Sequence, residues 1–152
     1  MADEKVVQIL LGLYEESLRN TRHIQEQRVS ITNYIATINS AIVGFIIAQD
    51  FRDETWPLSI LICTLGLYGI LSSAKFTQHF HRYYLESKYI RLRLGEIAPE
   101  GKIVEIFDTA RADNQIRYST LEDHVRIVYL WSILHFVFIL LGIACFLTVL
   151  II

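Results

Sequence analysis

Apolar residues gather along the chain in three stretches that hold no Asp, Glu, Lys or Arg: 31–49, 57–74 and 127–152. Nineteen helical residues rise roughly 28 Å, close to the ~30 Å hydrocarbon thickness of a bilayer. The second stretch is a residue shorter, and the third is long enough to cross with tilt. The segments between them are patterned too. Over residues 3–28, Val7, Leu10, Leu11, Tyr14 and Leu18 recur on one broad helical face. No Gly or Pro interrupts residues 13–43, so this helix is expected to continue into the first span.

After the loop "DETWP", Pro57 suits a first helical turn and Trp56 suits a membrane interface. Beyond the second span, Phe76, Phe80, Tyr83, Ser87, Ile90 and Leu94 keep three- and four-residue steps. That is a helical seam, expected to end near "GEIAPEG". Residues 102–114 read as a short amphipathic helix. Ser119 with Glu122 offers a capping box that would open the last helix, with Tyr129 and Trp131 at its inner interface. The expected division is a cytoplasmic amphipathic helix over 1–30, spans at 31–49, 57–74 and 127–152, and a helical insert over 75–126.

The polar positions of the first span form their own pattern. His23, Glu26, Ser30, Asn33, Thr37, Ser40 and Gly44 follow alternating three- and four-residue steps, a seam that climbs one side of the helix. An unpaired amide in hydrocarbon costs several kcal/mol, so this row should face protein or water rather than lipid. It is either a close-packed helix interface or, with copies from several subunits, the lining of an aqueous path. Asn39 falls off the row and is expected to find a partner on another helix. In the second span Ser59, Cys63, Gly66, Gly69 and Ser73 read as a packing face.

Composition turns these spans into a topology. Hydrophobic residues make up 53 % of 152 residues, and the net charge is only −2. Of 14 Lys and Arg, four precede the first span, nine lie in 75–126, and Arg52 alone sits in the first loop. The positive-inside rule then sets the N-terminal segment and the insert in the cytoplasm and the C-terminal end outside. The expected class is an all-α membrane protein: three transmembrane helices, N-in and C-out, over a small cytoplasmic helical bundle. Cys63 and Cys145 both fall within spans and read as free thiols.

Candidate chemistry is sparse. His135 is the ionisable group inside the third span, a candidate gate or proton site and equally a candidate interhelical hydrogen bond. Arg117 and His124, with six residues between them, match the loose Arg…His spacing of HEPN-type ribonucleases, in which His serves as general acid–base. At the inner edge of a span, the same two residues also read as an anchor. His79 and His81, two apart on a helix, point their rings away from each other and are not expected to hold a metal. No phosphate loop, nucleophile elbow or zinc pattern occurs, so neither catalytic residues, cofactor nor metal is expected, and direct nucleic-acid binding is not.

The arrangement as a whole resembles a known family. A long N-terminal helix carrying "RHIQEQRVSITNYIATINSAIVGF" enters span one. A short outer loop, span two, a helical insert and the Arg117–His124 pair before the last span complete it. This resembles the RipA-like family of small octameric bacterial membrane proteins, which includes the pore-forming accessory protein of type VI CRISPR systems. More distantly it is similar to SLATT membrane effectors. The insert here is shorter than in that family, and the gap between Arg117 and His124 is six residues. The resemblance implies a homo-oligomer, an octamer in that family, in the bacterial inner membrane. It would act as an ion-conducting pore in antiviral defence, depolarising the membrane when a cytoplasmic defence protein or nucleotide signal triggers it. The competing expectations are a non-conducting scaffold that recruits a soluble partner through the insert, a membrane-tethered HEPN-like ribonuclease, and a holin-like lysis protein.

Overall fold

The computed structural model describes the backbone of residues 2–124 and 127–151, and the side chains of 4–116 and 129–151. The described residues form four α-helices: α1 (Ala2–Ala48), α2 (Trp56–Ile97), α3 (Ile103–His124) and α4 (Ile127–Ile151). Short 3-10 turns at Asp53–Thr55 and Pro99–Gly101 join the first three. Three helices are long and apolar enough to cross a membrane: α1, α2 and α4. The chain divides into two compact units, residues 1–25 with 77–126, and 26–76 with 127–152.

The end of α1 is set by a Schellman closure. The Phe51 N–H donates to the Ile46 carbonyl at 3.2 Å and the Asp50 N–H to the Ile47 carbonyl at 3.0 Å. Asp50 and Phe51 both take positive φ, 51° and 54°. Asp tolerates that region through its short polar side chain; Phe does not. Phe51 is compensated by packing onto the cluster of Ile46, Ile62 and Cys145, the apolar contact that accompanies such a cap. Thr55 then ties the next turn, its Oγ1 donating to the Arg52 carbonyl at 2.7 Å.

One expectation fails in the insert. Ser119 does not open the last helix, because α3 runs unbroken from Ile103 to His124. No Gly or Pro lies between those residues, and Ser or Asp inside a helix costs only a few tenths of a kcal/mol. The helix expected over 102–114 therefore ends ten residues too early. The side chains of Ser119, Glu122, Arg117 and His124 lie outside the described residues.

In the unit of 26–76 and 127–152, α2 and α4 touch backbone to backbone at glycine. A Cβ on Gly66 would stand 2.7 Å from Ile139 Cγ1 and 3.0 Å from the His135 carbonyl oxygen. On Gly142 it would stand 2.6 Å from Cys63 Sγ and 2.9 Å from the Ser59 carbonyl oxygen. Gly69 in turn lies against the His135 ring. The small-residue face of α2 is thus a packing face, and Ser59, Gly66, Gly69 and Ser73 are buried on it. Cys63 and Cys145 are free.

The other unit packs through the seam read from sequence: Ser87 and Leu94 are buried, and Phe80, Tyr83 and Ile90 are half-buried. Ser17 on α1 donates to the Tyr83 carbonyl at 2.8 Å. Val104 on α3 fills the space over Gly95, where a Cβ would meet its Cγ2 at 2.7 Å. Leu11, expected on the buried face of α1, is exposed, while Val7, Leu10, Tyr14 and Leu18 are half-buried.

Candidate functional site

Helix α1 carries two polar rows, and the structure separates them. The inner row is Arg28, Thr32, Ile35, Asn39 and Ile46, all buried. Its steps of four, three, four and seven residues follow one helical face. The row read from sequence, His23, Glu26, Ser30, Asn33, Thr37, Ser40 and Gly44, is exposed at every position. At 100° per residue its centre lies about 150° round α1 from Asn39, nearly opposite the packed face.

Hydrogen bonding distinguishes the exposed row from other exposed polar groups in the spans. Thr64 on α2 and Thr148 on α4 are satisfied within their own helices, donating to the carbonyls of Ile60 and Ala144 at 2.9 Å each. A hydroxyl closed this way can face lipid without an orphaned donor. Among the described residues, Ser30, Asn33, Thr37 and Ser40 have no such partner. Gly44 differs from the packed glycines as well: a Cβ there would meet nothing within 4 Å. Next to the row on the same outer side stand Tyr34, Ile38 and Phe45, all exposed.

His135 lies inside the protomer. It is 1 % exposed, its Nε2 is 3.4 Å from Thr32 Oγ1, and its Nδ1 has no partner among the described residues. Within one chain it therefore belongs to helix packing, at the position Gly69 opens for its ring. Asn39 is also fully buried, and neither its Oδ1 nor its Nδ2 has a partner among the described residues. The partner expected on another helix is not there. Thr32 and Ile46, each seven residues from Asn39, share its buried face. Arg28 was missed altogether; a charge at the edge of a span gives no sign of burial.

Arg117 and His124 share α3, but their side chains lie outside the described residues. Among the described residues no group of three His, Cys, Asp or Glu gathers as metal ligands do. Comparison with protein-family models, curated proteins and solved structures gives no match for this chain.

Proposed function

We propose that this chain is one subunit of a homo-oligomeric membrane pore, N-in and C-out, in which α1 stands innermost and its exposed row faces water. The observation that supports this most is the contrast of hydrogen bonding: Asn33, Thr37 and Ser40 turn away from the protomer without partners, whereas Thr64 and Thr148 are closed on their own helices. A single such amide facing lipid would cost several kcal/mol. Three spans of one chain are too few to enclose a channel, so the row meets water only if copies surround an axis. Ser30, Glu26 and His23 continue it toward the cytoplasmic mouth, and Gly44 lets adjacent copies of α1 come close.

With the resemblance to RipA-like proteins, the reading extends to a bacterial inner-membrane effector of antiviral defence, an octamer like its counterparts, that depolarises the cell when its cytoplasmic unit is triggered. The decisive experiment is ion flux from vesicles reconstituted with the protein. Asn33→Leu combined with Thr37→Leu is expected to abolish the leak while the oligomer stays assembled. A leak equal to that of the unaltered protein would sink the pore. A dimer as the largest species would do so too.

A further inference from the structure

The unit of residues 1–25 and 77–126 holds a cavity of about 750 Å³ between α2 and α3. Two helical faces line it: Tyr84, Lys88 and Arg91 from α2, and Phe107, Asp108 and Arg111 from α3. Three cations thus converge on one space with a single carboxylate. Elsewhere in this unit three exposed charge pairs form, Arg82 with Glu86 at 2.9 Å, Arg93 with Glu96 at 2.6 Å and Lys102 with Glu105 at 3.4 Å. Among the described residues, Lys88 and Arg111 have no ion-pair partner. Arg91 is held differently, its guanidinium stacked over the Phe107 ring at 4.1 Å from the centroid. Stacking fixes the plane of the guanidinium and leaves its N–H edge to donate.

We infer that this cavity binds a nucleotide, a small ligand that joins phosphate to a planar base. Lys88, Arg91 and Arg111 supply the charge-assisted donors that phosphate oxygens require. Tyr84 and the Arg91–Phe107 stack supply flat surfaces on which a base can lie. Asp108 adds an acceptor for a ribose hydroxyl or an exocyclic amine, groups that a bare phosphate lacks. The volume falls within the range of about 300–1,000 Å³ common to small-molecule sites. A phospholipid headgroup shares the phosphate and offers nothing to the rings. The site is built from residues of α2 and α3 alone and does not depend on whether the polar row of α1 conducts.

The test is calorimetric titration of the full chain in detergent micelles with four probes: ADP, adenosine, inorganic pyrophosphate and the soluble phospholipid dihexanoyl phosphatidic acid. ADP is expected to bind more tightly than each of the other three. Lys88→Glu and Arg111→Glu should each weaken ADP by about tenfold or more, the worth of one charge-assisted hydrogen bond. Tyr84→Ala should weaken ADP and leave pyrophosphate unchanged. Arg93→Ala, outside the cavity, should change nothing. Thermal unfolding and oligomer size of each variant are measured alongside, so that a loss of binding is read only on folded protein. Pyrophosphate or the phospholipid binding as tightly as ADP overturns the assignment, and so does ADP binding that survives Arg111→Glu. Vesicle leak reports on the pore separately: a protein that binds ADP without conducting keeps this site and loses the pore.

Discussion

The two rows of α1 both carry Asn and Thr, in opposite surroundings. Thr32 and Asn39 are buried within the protomer, while Asn33, Thr37 and Ser40 face outward from it. The glycines divide the same way: Gly66, Gly69 and Gly142 are each filled against by a neighbour, and Gly44 is open. A polar or small residue in a span therefore has no fixed meaning. What decides its role is whether the protomer already uses it. Groups consumed inside one chain hold the fold, and groups left over remain open to something outside it.

That contrast can be broken by substitution. The largest effect should come from Gly142→Val, which drives a side chain into Cys63 and the Ser59 carbonyl where helices touch by backbone. Overpacking of that kind costs about 3 kcal/mol or more, and thermal unfolding in detergent should show a protomer that barely folds. Gly44→Val, in open space, should leave protomer stability within about 0.5 kcal/mol in the same assay. Equal losses at the two glycines would erase the distinction between used and unused positions.

Asn39→Leu sharpens the comparison from the inside. It removes two buried atoms without partners and replaces them with a side chain of similar size, so stability should rise by about 1–3 kcal/mol. Ion flux should be unaffected, since this residue faces away from the proposed axis. Destabilisation would mean that Asn39 is bonded in the assembled protein. Thr32→Val should have a small effect as well. Its long 3.4 Å approach to His135 is worth less than about 1 kcal/mol, measurable only as a slight fall in the unfolding midpoint.

Much of the architecture was legible because its signals are local. Charge-free stretches marked three helices able to cross a membrane, and steps of three and four marked the seam from Phe76 to Leu94. The stop of α2 followed from the run around Pro99. The start of the last helix was misread because Ser119 and Glu122 carry a capping pattern inside a helix that nothing interrupts. The turn at Asp50 and Phe51 was invisible for another reason: Phe at positive φ is held by Ile46, Ile62 and Cys145, which are distant in sequence or only become neighbours after folding.

The candidate site was half legible. Periodicity located the row from His23 to Gly44, but an equally regular row lies about 160° away on the same helix. Which of the two packs inward is settled by α2 and α4, where Gly69 admits His135 and His135 approaches Thr32. No pattern within α1 carries that information. The aromatic and cationic cavity between α2 and α3 was hidden similarly, since Lys88 and Arg111 converge only once the hairpin forms.

The central claim is that the outer row of α1 meets water in the assembled membrane protein, and it is tested most directly by thiol labelling. In a background with Cys63→Ala and Cys145→Ala, single cysteines are placed at Asn33, Thr37 and Ser40, and at Ile38 as the lipid-facing or interface control. A membrane-impermeant charged thiol reagent applied to reconstituted vesicles should modify the first three far faster than the fourth and should block ion flux as it does. Labelling at Asn33→Cys, Thr37→Cys and Ser40→Cys no faster than at Ile38→Cys would show that the row is sealed against protein or lipid, and would contradict the account.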